Sequence, residues 1–313
     1  LVSNEPALGG RLDWTVGAFY MDHEIENVIR GYRDDDLDGR IKYLCGESFA
    51  DPSYCYDHDY GIPGRFDIFG PNAEVDFFTD ANPSRESYSV YAQTTYSLSD
   101  SFRIVSGLRY SEDTFTTDVT NFLNVESFQE EGTTDEITSR VVAEVDFTED
   151  FMGYFALAKG FKPGGSNLTF GFDDDNAPPM VFPTFEAETV DSVEFGLKST
   201  FADGAARANI AVFSYTYENL QFQATDPDIY RGGVANIPES EMSGLEIEFT
   251  GFLTDSLSLD MNLAFLDSEV TSDYEVLDNV DAYPYFFGQE DIRYGLRENV
   301  KGNQLAKTPE LTA

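Results

Sequence analysis

The chain has 313 residues, with 58 Asp and Glu against 19 Lys and Arg, which gives a formal net charge of −39. This length suffices for one large domain or two ordinary ones, and the excess of acid excludes nucleic-acid binding, which needs a basic face. Aromatic residues make up 15% of the chain, which is not the composition of a disordered protein, and no apolar run approaches the ~18 residues of a membrane-spanning helix.

The first predicted element is a strand at 12–20, where apolar and polar side chains alternate with a period of two. Leu12, Trp14, Val16, Ala18 and Tyr20 share one face of this strand. The pattern predicts a sheet with one continuous apolar face.

A long acidic link is predicted at 27–85, and it contains the only two cysteines, Cys45 and Cys55. Because they lie close together in a polar stretch, we predict a disulfide between them and an oxidising compartment. Closing so short a loop contributes under ~3 kcal/mol. Two free thiols in a cytosolic protein are the alternative.

The same link begins like a calcium-binding loop. Asp34, Asp36 and Asp38 supply carboxylates at positions 1, 3 and 5, and Gly39 stands at position 6. Position 12, where a bidentate Glu belongs, is Cys45. A solvated acidic loop is therefore favoured over a Ca²⁺ site, and we predict no other cofactor.

Strands with one apolar and one polar face continue along the chain, at 88–98, 102–110, 140–147, 193–201, 245–253 and 257–265. The segments 151–161 and 206–222 are apolar on both faces, so the pattern does not assign their orientation. Together these segments predict nine strands, and a tenth is predicted to begin near Asn303. Their predicted lengths of 10–14 residues exceed the ~5–6 of soluble sheets and suit a tilted membrane strand of ~9–11 residues.

The connections alternate between short and long. Turn residues such as Asp, Ser and Gly occupy four tight connections, at 98–102, 147–151, 201–205 and 253–257. The long links are predicted at 27–85, 116–137, 163–189, 223–242 and 271–302. This asymmetry is typical of outer-membrane barrels.

We therefore predict an all-β, antiparallel transmembrane β-barrel with short periplasmic turns and long acidic extracellular loops. A soluble propeller with blades of ~50 residues would repeat at a similar interval. It would need four short strands in each blade, whereas each repeat here holds two long strands and one long link.

Five segments, in this order along the chain, resemble the barrel of TonB-dependent outer-membrane receptors of the proteobacterial type. They are 12–20 (LDWTVGAFY), 106–110 (SGLRY), 159–167 (KGFKPGGSN), 185–198 (FEAETVDSVEFGLK) and 243–248 (SGLEIE). The third is similar to the family's RGYKPGGFN segment, and the fourth to its PETvdsyElGlK segment.

The resemblance implies a 22-stranded barrel around an N-terminal plug, in the outer membrane of a Gram-negative bacterium. It implies energised uptake of a scarce nutrient, most often a ferric siderophore, driven through the plug by the inner-membrane TonB complex. The expectation for residues 1–313 is a partial barrel of about nine or ten strands that carries no plug. The expected partners are outer-membrane lipid, lipopolysaccharide, the TonB complex through the missing plug, and a small nutrient chelate.

Two sets of residues are candidate sites. Arg103, Arg109 and Arg140 are predicted to face the lumen, where they can bind plug carboxylates or an anionic ligand; a charge ladder with lumenal acids is the favoured alternative. The family segment that contains Lys162, Pro163, Gly164, Gly165 and Asn167 can form a ligand-facing rim, although a structural turn is favoured there.

Residues that would support catalysis are sparse. His23 and His58 are the only histidines, which excludes a His-rich metal site and weighs against a Ser/His/Asp triad. We predict a receptor and transporter that is not an enzyme. A passive porin and a soluble β-rich binding protein are the alternatives.

Overall fold

A computed structural model describes residues 1–32, 75–121, 126–167, 184–225, 232–254, 256–277 and 297–312. A single helical turn, α1, spans Ala7–Gly10. The strands are β1 (Leu12–Glu24), β2 (Asn27–Tyr32), β3 (Val75–Ser97), β4 (Phe102–Asn121), β5 (Glu126–Thr148), β6 (Phe151–Lys162), β7 (Gly165–Ser166), β8 (Thr184–Phe185), β9 (Glu188–Phe201), β10 (Ala206–Thr225), β11 (Gly232–Thr254), β12 (Leu257–Val270), β13 (Glu275–Leu277), β14 (Arg297–Asn299) and β15 (Leu311–Thr312). Among the described residues, no helix is long and apolar enough to cross a membrane.

One large antiparallel sheet dominates the described structure. Its strands follow the order β1-β3-β4-β5-β6-β9-β10-β11-β12-β15, and β2 also pairs with β3. The nine predicted strands correspond to the nine long members of this sheet, from β1 to β12. The tenth strand pairs with β12 only at Leu311–Thr312, later in the chain than the predicted start near Asn303.

Several strands are longer than the 10–14 residues predicted. β3, β5 and β11 each contain 23 residues, which at ~3.3 Å per residue is much longer than a ~30 Å hydrocarbon core requires. The predicted link at 116–137 is largely strand, because β4 continues to Asn121 and β5 begins at Glu126. Polar residues predominate on both faces of these extensions, so the regular apolar alternation that predicts strands is missing there.

The register aligns the predicted apolar residues across the whole sheet. Val90 lies opposite Tyr110, Val141 opposite Leu157, and Val212 is paired with Phe195 on one side and Leu245 on the other. We call this surface the outer face and the opposite one the inner face. Because side chains alternate between the two sides of a strand, the register also places Phe155 and Leu157 on the outer face and Tyr154 on the inner face.

The turn between β9 and β10 shows how the tight connections form. Asp203 and Gly204 both have positive φ, of 53° and 87°, and the Ala205 amide donates to the Ala202 carbonyl at 3.0 Å. Two central residues with positive φ define a type I′ hairpin turn, for which Asp-Gly is a preferred sequence. The predicted turn at 201–205 is therefore confirmed.

Candidate functional site: the inner face and the inner stem

The outer face exposes large apolar side chains on eight of the nine long strands, which are β1, β3, β4, β5, β6, β9, β10 and β12. Leu108 is 58% exposed, Val90 56%, Val212 52% and Phe195 51%. A soluble monomer rarely exposes an apolar patch of more than a few hundred Å². Strands with apolar residues on one side and polar residues on the other are typical of a transmembrane barrel whose outer surface contacts lipid.

Near the tight turns, the inner face carries a charge ladder centred on Arg103. Its guanidinium pairs with Glu144 and, at 2.5 Å, with Asp146. On neighbouring strands, the Tyr154 hydroxyl donates to Glu194 at 2.6 Å, and the Lys198 ammonium lies 5.3 Å from the centroid of the Tyr154 ring. The charge-ladder interpretation therefore describes the surroundings of Arg103 in this structure.

Glycines and aromatic residues face each other across the inner-face strand pairs. In each case the ring fills the space that a side chain on the glycine would take. A Cβ placed on the glycine would lie only 2.3–2.6 Å from the nearest atom of the ring. Packing of this kind protects the exposed backbone of a strand glycine and fixes the register. The pairs are Gly17 with Tyr91, Gly132 with Phe115, Gly196 with Tyr154, and Gly244 with Phe213.

At the end of the sheet opposite the tight turns, the chain between β6 and β9 folds onto the inner face. Its described parts are 162–167 and 184–188, which pair as the two-stranded ladder β7–β8; we call them the inner stem. β6 ends at Lys162, and Pro163 follows with no amide hydrogen to continue a ladder. A Cβ at Gly164 would lie 2.5 Å from the Phe185 carbonyl oxygen, so this close backbone approach requires glycine.

One side of the inner stem is attached to β3 and β4. Arg85 pairs with Asp113 at 2.5 Å and donates a second hydrogen bond to the Gly164 carbonyl at 2.8 Å. The Ser166 hydroxyl donates to the Thr117 hydroxyl oxygen at 2.6 Å. The Asp113 side chain is only 8% exposed, so the ion pair lies beneath the stem rather than in open solvent.

The other side of the inner stem is attached to β10 and β11. Asn167 donates to the Val234 carbonyl and accepts from the Val234 amide, both at 2.8 Å. Asn236 accepts from the Glu186 amide at 2.8 Å, and Gln221 donates to the Pro163 carbonyl at 2.9 Å. The stem is thus held from two directions across the inner face.

A cavity of about 400 Å³ lies between the inner stem and the far end of β4–β5. Phe115, Gly132, Thr134, Gly164 and Phe185 contribute to its lining. The described residues contain no group of three or more His, Cys, Asp or Glu side chains that could hold a metal ion.

The structure brings some predicted site residues together and separates others. The rim residues Lys162, Pro163, Gly164, Gly165 and Asn167 all belong to the inner stem. These residues turn the chain from β6 onto the inner face of the sheet, as the turn interpretation predicts. The stem therefore lies on the side where a ligand would pass, but its contact with a ligand stays a prediction.

The three candidate arginines have different partners. Arg103 is paired with acids, whereas Arg109 lies 5.8 Å from the centroid of the Phe19 ring and 5.9 Å from that of Tyr91. Arg140 lies opposite Gly107 and Ala158. Contact of these arginines with a ligand or plug stays a prediction.

The predicted disulfide of Cys45 and Cys55 lies outside the described residues. Asp34, Asp36 and Asp38 also lie outside the described residues. The disulfide and the calcium loop therefore stay predictions. Sequence reasoning missed Arg85, Gln221 and Asn236. Arg85 was assigned to a link, although extending the alternation of 88–98 backwards would have placed it on the polar face.

Comparison with known proteins places this geometry in a family. A protein-family model described as TonB dependent receptor-like, beta-barrel matches residues 8–313. The pesticin receptor of Yersinia enterocolitica serotype O:8 is 28% identical over 226 residues, which are 69% of this chain and 30% of that protein. A probable TonB-dependent siderophore receptor of Acinetobacter baumannii, PiuA, is 28% identical over 61% of this chain and 25% of its own length.

Solved structures share the fold. The siderophore receptor PiuA from Acinetobacter baumannii superposes with a TM-score of 0.63 at 18% identity, over 96% of this chain and 40% of that one. The ferric yersiniabactin uptake receptor FyuA from Yersinia pestis gives a TM-score of 0.59 at 19% identity, over 83% of this chain and 33% of that one. The chain spans about a third of the length of the relatives it matches.

Proposed function

Because this chain belongs to the family of TonB-dependent receptor β-barrels, whose members lie in the outer membrane of Gram-negative bacteria, we propose that it is part of a receptor that imports a ferric siderophore or a similar iron chelate. PiuA, which is similar to this chain both in sequence and in solved structure, is a siderophore receptor by name, and FyuA is by name an uptake receptor for ferric yersiniabactin. These names support the class of ligand. The proposed partner for energy coupling is the inner-membrane TonB complex.

The observation that carries this proposal is the contrast between the two faces of the sheet. The outer face exposes side chains such as Leu108 and Val212, and the inner face holds the Arg103 ion pairs and the inner stem. An open strand edge is not tolerated in lipid, so the sheet suits a closed barrel in which further strands pair with β1 and β15. The proposed role is transport, without a catalytic step.

The inner stem favours a selective receptor over a passive porin. Hydrogen bonds with β3, β4, β10 and β11 hold it on the inner face. A segment fixed there narrows the passage at the end opposite the tight turns, where ligands arrive in an outer-membrane barrel.

Uptake of radioactive iron tests the proposal. The full-length protein that contains this chain is expressed in iron-limited cells lacking their own siderophore receptors, with and without a functional tonB gene. Uptake is measured for a panel of catecholate, hydroxamate and phenolate-thiazoline ferric siderophores. We expect saturable uptake of at least one ferric siderophore, and we expect it only when TonB is present.

A passive channel gives a different result. The purified protein in liposomes would then let small sugars enter, as measured by swelling, and iron uptake would not depend on TonB. That pair of results would replace the receptor proposal with the porin. The empty expression vector is the control for background uptake.

A further inference from the structure

β5 has a free edge at the end of the sheet opposite the tight turns. Its pairing with β6 ends at Ser139 and Lys159, although β5 extends back to Glu126. β6 continues to Lys162 but pairs there with β9. Among the described residues, no strand therefore pairs with residues 126–138 of β5 on the side away from β4.

The register decides which backbone groups this edge exposes. The Asp146 amide donates to the Ser101 carbonyl, toward β4. In an antiparallel strand, one residue turns both of its backbone groups to one neighbour and the next residue turns them to the other. The pairing of β4 with β5 is continuous over 126–145, so the even-numbered residues of β5 bond to β4. The residues of this edge whose N–H and C=O groups point to the free side include Glu131, Thr133 and Asp135.

The free edge borders the cavity of about 400 Å³ between β4–β5 and the inner stem. The lining of this cavity includes residues 131–135 of β5 on one side and 184–187 of the stem on the other. The stem crosses the inner face of β5, where the Gly164 amide nitrogen lies 3.5 Å from the Thr134 hydroxyl oxygen. Glu131, Thr133 and Asp135 remain exposed beside it. The cavity is thus a groove with strand backbone along one wall.

The charge of the groove selects a basic partner. Glu131 and Asp135 point to the outer face, because they alternate in step with Val141, and Glu186 lines the opposite wall. The described residues that line the groove include no lysine or arginine. Opposite charges on directly facing residues stabilise paired strands, so an added strand should carry basic side chains opposite Glu131 and Asp135.

The inner-face side of the groove is apolar. The Phe115 ring covers Gly132, where an added Cβ would lie 2.5 Å from the ring, and Phe185 borders the same cavity from the stem. A residue opposite Gly132 would therefore lie beside two aromatic rings, against which an apolar side chain can pack. The groove thus favours one apolar residue between the two basic ones.

We propose that the free edge of β5 binds an extended, basic peptide segment of another protein outside the cell, which pairs with residues 131–135 as an added strand. Strand addition draws affinity from main-chain hydrogen bonds and specificity from alternate side chains. Antiparallel pairing is the more stable arrangement, and it sets the order of the partner's residues as basic, polar, polar, apolar, basic. The inference goes beyond the proposed function and takes from it only the assignment of this end of the barrel to the outside of the cell.

Fluorescence anisotropy with a labelled peptide tests the site on the full-length protein in non-ionic detergent. The peptide has the sequence TKTTLKT and is blocked at both ends, and we expect it to bind saturably. Thr133→Pro removes an N–H group from the free edge and leaves the β4 ladder intact. This variant should bind the peptide roughly tenfold more weakly, because a peptide carbonyl loses its donor. The matched control Thr133→Ala keeps the N–H group and should bind as the wild type does.

Reversal of charge gives a second test that does not depend on the folding of the proline variant. Glu131→Lys/Asp135→Lys should lose the basic peptide and bind its acidic counterpart, TETTLET, instead. The control Glu149→Lys/Asp150→Lys makes the same change in net charge in the tight turn after β5, and it should still bind TKTTLKT.

The proposal is overturned if the wild type does not bind TKTTLKT, if Thr133→Pro binds it as well as the wild type does, or if the two lysine variants respond alike. Peptide binding in detergent involves no transport, so a failure of TonB-dependent uptake would be seen separately.

Discussion

Tyr154 and Gly196 lie directly opposite each other on the inner face of β6 and β9, and the tyrosine ring covers the glycine backbone. A Cβ on Gly196 would lie 2.3 Å from the nearest ring carbon. The same ring receives Lys198 on its face and donates its hydroxyl to Glu194. Because Gly196 has no side chain, the Tyr154 ring can lie flat on β9 and at the same time contact Lys198 and Glu194.

Replacing this glycine should destabilise the barrel. Gly196→Ala places a methyl group where the Tyr154 ring now lies, and overpacking of this kind costs about 1–3 kcal/mol of unfolding free energy. Urea unfolding of the full-length protein in lipid vesicles measures the change. The control is Gly107→Ala, also on the inner face, where the added Cβ would meet only the Ala92 carbonyl oxygen at 3.9 Å. An equal loss in both variants would contradict the packing argument.

The orientation of the sheet in lipid predicts a contrast between two neighbouring positions. Leu108 lies on the outer face and Gln93 on the inner face, opposite Gly107. Leu108→Arg should lower stability by about 2–4 kcal/mol if the residue lies near the bilayer midplane, whereas Gln93→Arg should change it little. Urea unfolding in vesicles measures both. Equal tolerance of arginine at the two positions would show that the outer face does not contact hydrocarbon.

Arg85 should be required for a stable inner stem. Arg85→Gln leaves the Asp113 carboxylate without its cation in a largely buried place, and losing one partner of such a pair should cost about 2 kcal/mol. The Asp113→Asn variant should recover part of this loss in the Arg85→Gln background, because the unpaired charge is removed. A double-mutant cycle in urea measures the coupling. Additive effects of the two substitutions would contradict a direct interaction.

A disulfide should trap the inner stem in the position described. The Ser166 and Thr117 hydroxyl oxygens are 2.6 Å apart, so Ser166→Cys/Thr117→Cys should oxidise readily. The matched control replaces Thr114, on the other face of β4, together with Ser166, and it should not form a bridge. Mass spectrometry of tryptic peptides with and without reductant reads both results. Failure of the first pair to cross-link would show that the stem is not docked there.

The link after β12 should respond to acid. A hydrogen bond from Asn299, and then one from Lys301, lowers the pKa of Asp273 below its ordinary value. A carboxyl with a depressed pKa stabilises the folded link above the pKa of the unfolded state, and this contribution disappears as the pH falls through the lower, folded value.

Hydrogen exchange at the Val300 amide, which donates to the Tyr274 carbonyl, should therefore become faster as the pH falls below ~4, after correction for intrinsic exchange. Asp273→Asn should abolish this change, and high salt should reduce it, because the pair is exposed. A pH response that persists in Asp273→Asn would assign it to another group.

The sequence anticipated the transmembrane part of the fold because the membrane imposes its pattern on every strand. Val145 and Ile247 each stand between two acidic neighbours, and lipid on one side and water on the other require that alternation. The tight turns could also be predicted from the sequence. Asp203-Gly204 is an example, because Asp-Gly is a preferred sequence for a turn with positive φ at both central positions, which these residues adopt.

The extensions and the inner site depended on contacts between segments that are distant in sequence. Glu126–Thr148 begins with polar residues on both faces and therefore resembles a loop until its pairing with β4 is seen. The orientation of 151–161 was equally ambiguous, because both faces are apolar and only the register with β5 and β9 decides which side chains face lipid.

The sequence by itself determined which strands cross the membrane and, for seven of the nine, which face is apolar, because these follow from local alternation of side chains between lipid and water. Only the tertiary structure decided that Arg85 reaches Gly164 and that Arg103 is paired with acids. These relationships depend on strand order and register, which bring together residues up to 79 positions apart, and no local pattern records them.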